Sequence, residues 1–264
     1  MEINGAKAAV TGASGGLGSA IARALHARGA RVVLTCRREA PLAALAAELD
    51  GADFIVCDLA DRRQATELGD RLVDTDILVA NAALPAVGRL EDFTPEELDR
   101  ALEVNLRVPM LLTQRLLPGM LARRRGHFVY IASIAGKIPT ARLSVYSATK
   151  HGLRGFSGSL RQDLLGSGVT TSVVFPGSVV DAGMLADAHL PAAPGSKGVT
   201  ADAVAHAVVK AIEHERAEIV AASRMERIAV RVGGVAPELM ARLTQREDAV
   251  AYAEQLRDGL RHIR

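Results

Sequence analysis

The chain has no tryptophan, three tyrosines and five phenylalanines, an aromatic content of 3% over 264 residues. So few stacking platforms speak against recognition of exposed bases. Charge of one sign is also missing: the formal net charge is +2, and acidic and basic residues are interspersed with no lysine-rich block. That removes the electrostatic basis for dedicated nucleic-acid binding. Long apolar runs are absent. The longest uncharged stretch, Leu164 to Val180, is broken by glycines, a proline and hydroxyl residues, and reads as a buried strand with flanking loops rather than a membrane span. No cationic-then-apolar export pattern precedes the first strand, Ala6 to Thr11, so a cytoplasmic protein is expected. The only two cysteines, Cys36 and Cys57, end two apolar strands that a doubly wound sheet places side by side; reduced buried thiols are the main expectation, with a disulfide or redox role the minor alternative. The seven histidines lie scattered without metal-ligand spacing, and no metal site is expected.

What is present is core. A hydrophobic fraction of 49% in 27.8 kDa fits one large α/β domain. Strand-like runs alternate with helical patterns: Lys7 to Val10, Arg31 to Thr35, Asp53 to Val56, Ile77 to Ala80, His127 to Ala132, Thr170 to Phe175 and Glu218 to Val220. Such alternation predicts a doubly wound, seven-stranded parallel sheet with right-handed helical crossovers. The first helix opens inside a glycine turn and ends near Gly29, and the second spans about Pro41 to Leu49. A long helix starts behind Thr94 as N-cap, with Pro95, Glu96 and Glu97 in its first turn, and bends or restarts around Pro109 before ending near Arg125. Another spans about Ser144 to Gly166, where Gly152, Gly155 and Gly158 leave a smooth face for a second helix of the same chain or of a partner subunit. Residues 179–198 lack a clear period and carry the glycines and prolines of a flap. The expected division is residues 1–222 as the dinucleotide-binding domain and 223–264 as a helical C-terminal extension. The arginines of that extension are nearly balanced by Glu226, Glu238, Glu247, Asp248, Glu254 and Asp258, so a solvated or subunit-packing face is favoured over a membrane-surface anchor.

Chemistry concentrates in a few constellations. Gly12, Gly16 and Gly18 follow a strand and open a helix, the arrangement that lets backbone approach a pyrophosphate at a positive helix end; a tight turn with no ligand is the alternative. After the second strand stand Arg37 and Arg38, where a site for the unphosphorylated cofactor usually places a carboxylate. Arginine offers its planar fork to a 2′-phosphate, unless the pair is merely solvated. Asp58 and Leu59 would border the adenine, and Asn81 and Ala82 a ribose, although tight core packing also explains small residues there. Tyr146 and Lys150 lie four apart on one helix face, so the ammonium is expected to lower the phenol pKa from about 10 and make a proton donor usable near neutrality. Ser133, after a buried strand, is a candidate to donate to a substrate oxygen, with a plain strand-end turn serine as the alternative.

In this order the motifs resemble the short-chain dehydrogenase/reductase family, from Lys7 to about Ala222. The resemblance implies a Rossmann-type fold and a pyrophosphate turn at Thr11, Gly12, Ser14, Gly15, Gly16, Leu17 and Gly18. It implies a catalytic set of Ser133, Tyr146 and Lys150, with Asn105 supporting a water path to the lysine. Pro176, Gly177 and Val179 would complete the nicotinamide site. Two departures stand out. Ala83 replaces the last glycine of the family's Asn-Asn-Ala-Gly motif, which should restrict the backbone slightly. Asp181 stands where a threonine is usual; it is expected to contact the carboxamide or the flap backbone, or else to N-cap a flap helix from Ala182 to Ala188. The implied activity is reduction of a small apolar ketone or aldehyde, or oxidation of the alcohol, with NADP(H) preferred over NAD(H), in a homodimer or homotetramer. The alternatives are a 3-oxoacyl-thioester reductase, with Lys137, Arg142 and Arg154 as candidate carrier-docking cations, and a non-catalytic NADPH sensor.

Overall fold

The computed structural model describes residues 1–236, 238, 240 and 247–260. Its seven strands are β1 (Lys7–Thr11), β2 (Arg31–Cys36), β3 (Asp53–Val56), β4 (Ile77–Ala80), β5 (Gly126–Ile131), β6 (Val169–Pro176) and β7 (Glu218–Ala221). They form one sheet in the order β3-β2-β1-β4-β5-β6-β7, and every pairing is parallel. Because successive strand residues point to opposite faces, the inner strands feed two cores. Ala8, Val10, Ile77, Val79, Val129 and Ile131 join one, while Ala9, Leu78, Ala80, Phe128 and Tyr130 join the other.

Helix α1 (Gly16–His26) covers the first face, as do α2 (Glu39–Glu48) and α8 (Ala201–Glu213). The opposite face carries α3 (Arg62–Arg71), α5 (Val108–Arg123) and α6 (Ser144–Asp163). The sequence reading gave no helix over α3, whose start is fixed by Asp61 accepting from the Arg63 and Gln64 N–H groups. Thr94 and Glu97 do form a reciprocal capping box at the head of α4 (Pro95–Leu102). The expected bend near Pro109 is a π-turn, Glu103–Arg107, that hands the chain from α4 to α5. Strand order reverses between β1 and β4, so the carboxyl ends of the strands open a crevice at this switch point.

The flap closes on itself: Val199 N–H donates to Ser178 O at 2.8 Å and Val180 N–H to Val199 O at 3.0 Å. At its tip sits the short helix α7 (Gly183–Asp187). Beyond β7, α9 (Arg224–Val235) is capped by a Ser223/Glu226 box, and a C-terminal helix spans Glu247–Gly259. No described helix is long and apolar enough to cross a membrane. Cys36, at the end of β2, and Cys57, just past the end of β3, are buried free thiols, Cys57 N–H donating to Cys36 O at 2.9 Å, and burial pushes the Cys57 thiol up to about 11.

Candidate active site

A single cavity of about 1410 Å³ runs along the carboxyl ends of the strands. Its size exceeds the roughly 300–1,000 Å³ of an ordinary ligand pocket, leaving room for two ligands side by side. At one end lies the turn from β1 into α1. Gly12 holds φ +65°, and a Cβ on it would stand 2.9 Å from the Ala82 backbone; a Cβ on Gly18 would strike the Gly12 carbonyl. Helix α1 begins at this turn with no side-chain cap and no acid in its first turn, so its leading N–H groups and positive end are available to an anion. Glycine cradle, helix end and cavity together fit a dinucleotide pyrophosphate.

Thr11 lies behind this turn rather than in the cavity wall. Its buried hydroxyl accepts from the Asn81 and Ala82 N–H groups, both at 3.0 Å, while Asn81 Nδ2 donates to Thr11 O at 2.9 Å. The expected pyrophosphate contact of Thr11 is therefore corrected to a bolt between the ends of β1 and β4. Ala83 lies outside the left-handed region, so the missing glycine imposes no strain. Arg37 and Arg38 are exposed on the cavity wall at the end of β2, with Arg38 Nη2 3.5 Å from Ser14 Oγ. Asp58 and Leu59 border the same end, and Asp58 Oδ1 accepts from Ala60 N–H at 3.0 Å.

At the middle of the cavity, β5 delivers Ser133 and α6 delivers Tyr146 and Lys150. The Ser133 hydroxyl accepts from Ala135 N–H at 3.2 Å and lines the same part of the cavity as Tyr146. Lys150 is 2% exposed, and its Nζ lies 5.5 Å from the Tyr146 ring centre while donating to Ile131 O at 2.9 Å. The phenol pKa is not lowered, as the sequence reading expects, but raised, because burial outweighs the opposing effect of the nearby Ser133 hydroxyl. Burial likewise lowers Lys150 to about 8. The phenol is thus held protonated at neutral pH, the form a proton donor needs.

Asn105, fully buried on the π-turn, spends both side-chain groups on Leu84: Oδ1 accepts from its N–H at 2.7 Å and Nδ2 donates to its carbonyl at 2.9 Å. Like Thr11 it stands outside the cavity wall, locking the segment after β4 to the helix beside the site. Pro176, Gly177 and Val179 do line the cavity.

Asp181 requires a correction. It is exposed, and its Oδ1 accepts from Ala201 N–H, the first residue of α8, at 2.8 Å. It neither faces the cavity nor caps α7, whose N-cap is Ala182 with no side-chain bond.

Two features escaped the sequence reading. Glu226, buried in the cavity wall, accepts from both the Ser178 N–H and hydroxyl, at 2.9 and 2.8 Å. It thereby pins the turn after Gly177, whose missing Cβ leaves room for that carboxylate. Its pattern Ser223-Arg-Met-Glu226 is a legible capping box. Second, one face of the C-terminal helix belongs to the site: Asp248, Ala249, Tyr252, Ala253 and Leu256 line the cavity, while Ala251, Gln255 and Asp258 are exposed. Of the smooth glycine face on α6, Gly152 packs against Leu106, and Gly155 and Gly158 meet nothing within 4 Å.

Fold and site together define a doubly wound dinucleotide-binding oxidoreductase. The family model for short chain dehydrogenases matches residues 6–190. The chain is 36% identical over 255 residues to the ketoacyl reductase HetN of Nostoc sp., covering 91% of this chain and 88% of that one. A metagenomic short-chain oxidoreductase in complex with NADP superposes with a TM-score of 0.70 at 33% identity, over 83% of this chain and 98% of that one. A short-chain dehydrogenase/reductase from Burkholderia phymatum in complex with NAD gives 0.79 at 25% identity, over 90% and 96%. The chain belongs to the short-chain dehydrogenase/reductase family.

Proposed function

We propose that this protein is an NADPH-dependent reductase of apolar ketones and aldehydes, able to run in reverse as an alcohol dehydrogenase. The observation that carries the reading is the convergence of Ser133, Tyr146 and Lys150 on one cavity with a glycine cradle at one end and an apolar chamber at the other. Bound NADPH supplies the hydride. Tyr146 holds the proton at its phenol oxygen and gives it to the carbonyl oxygen, which Ser133 keeps in place. Lys150 supports the phenolate left behind, its charge favouring that anion. The Asn105 side chain is committed to Leu84, so its part in restoring the proton is to hold the π-turn in shape beside the lysine. Arg37, with Arg38 beside it, receives the 2′-phosphate that distinguishes NADPH from NADH.

Residues 1–222 form the cofactor-binding catalytic unit, and the segment from 223 onward completes the substrate side. The open glycines 155 and 158 of α6 suit a helix of a second copy, as a homodimer or homotetramer requires. A thioester substrate is the second reading, favoured by the likeness to a ketoacyl reductase. Against it, the three candidate carrier-docking cations are already engaged: Lys137 and Arg154 on Glu218, and Arg142 on Glu254. Loss of NADPH absorbance with a panel of ketones, aldehydes and 3-oxoacyl thioesters separates the readings; oxidation with thioesters alone refutes the proposal.

A further inference from the structure

We propose that the Glu247–Gly259 helix is the roof of the substrate chamber, and that Ala249, Ala253 and Leu256 on its inner face set the length of apolar chain the enzyme accepts. The inference rests on the carbonyl-reductase reading and adds the part of the substrate that lies away from the reacting carbon.

Positions 248, 249, 252, 253 and 256 recur at helical spacing, so they share one stripe, and all five line the cavity. The stripe's three apolar residues are two alanines and one leucine, which leave open volume below the helix. The helix is seated on the chain's own substrate walls. Leu256 and Leu260, 8% and 1% exposed, are buried in a cluster with Val87, against which Leu143, Met184, Leu185, Ala188 and Leu190 pack. At Gly259 the approach is so close that a Cβ would stand 2.8 Å from that of Ala188.

Polar ties close both sides. The Tyr252 hydroxyl donates to Pro191 O on the flap at 2.7 Å. On the other side Glu254 accepts from Arg142 Nη2 at 3.2 Å, just before the helix that carries Tyr146. Arg142 itself takes a left-handed φ of 64°, and its carbonyl accepts from Gly88 N–H at 2.7 Å. The turn before α6, the loop after β4 and the flap therefore all meet the roof helix. The roof's closeness favours a free carbonyl compound enclosed within the chamber, with chain length limited by the three apolar side chains above it.

The test is kinetics and binding on two full-length variants with unbranched methyl ketones from butanone to decanone. Ala253→Trp fills the chamber and should cut kcat/KM for decanone at least 10-fold relative to butanone, within the roughly 10–200-fold that such apolar contacts command. Leu256→Ala opens it and should shift the preference toward the longer ketones. Because the chain has no native tryptophan, Ala253→Trp also supplies a lone fluorophore. Its emission should be that of a buried indole, and decanone should alter that emission and its acrylamide quenching. A water-exposed emission indifferent to decanone, or an equal change in kcat/KM along the series, overturns the roof. If decanone changes the emission but no ketone is reduced by the unmodified protein, the roof stands and the carbonyl-reductase reading falls.

Discussion

Burying Lys150 should leave a signature in stability that does not depend on turnover. Its ammonium titrates at about 8 in the folded chain against its ordinary value of 10.5, with burial as the cause. A lysine with a depressed folded pKa destabilises the fold wherever the unfolded chain binds the extra proton. The cost is therefore full below pH 8 and is relieved as pH rises from about 8 toward 10.5. At about 1.36 kcal/mol per pKa unit, the cost at neutral pH is roughly 3 kcal/mol, most of which is recovered by pH 10. Lys150→Met keeps a long side chain in the slot and removes the titration, although it leaves Ile131 O without the lysine's hydrogen bond. That loss, about 1–3 kcal/mol, does not vary with pH. Urea unfolding of both proteins without cofactor, at pH 7, 8, 9 and 10, gives the difference in which other titrating groups cancel. The wild type should gain roughly 2–3 kcal/mol on the variant across this range. A difference flat with pH would show that Lys150 is not held as a desolvated cation.

Arg37→Asp should lower affinity for NADPH by about 10-fold or more, as expected for loss of a charge-assisted contact worth roughly 1.5–3 kcal/mol, and turn the preference toward NADH; equal kcat/KM for the two cofactors in the unmodified protein would refute the assignment. Asp181→Ala should cost about 1 kcal/mol through loss of the bond to the start of α8, read by urea unfolding. The ratio of NADP⁺ to NADPH affinity should stay unchanged, and a shift in that ratio would restore Asp181 to the nicotinamide.

Much of this fold is readable from the sequence because parallel strands buried on both faces write themselves as short apolar runs. The run at Ile77–Ala80, buried throughout, has the same bounds in the structure; so does the edge strand Asp53–Val56, of which only Ile55 is buried. Helix α3 was illegible for the opposite reason: of its ten residues only Ala65, Leu68 and Gly69 are buried, too few apolar positions to mark a face. The glycine turn, Ser133, Tyr146 and Lys150 were legible because their chemistry is tied to residue type and local spacing. The direction of the Tyr146 shift was not, since burial is a property of the packed site. Thr11, Asn105 and Asp181 share that limit: each bonds backbone 20 or more positions away, and no local pattern reveals such a partner. The C-terminal roof depends on contacts across more than a hundred residues, as between Arg142 and Glu254.

The account's central claim is that Tyr146 is the proton donor in a site whose cofactor cradle is independent of it. Single-turnover NADPH oxidation by wild type and Tyr146→Phe, on the ketone found most active, tests this most directly, with NADPH binding followed by its own fluorescence. The prediction is unchanged NADPH affinity and a turnover rate lower by at least the roughly 10²–10⁴-fold typical of a lost general acid; turnover within about threefold of wild type would contradict it.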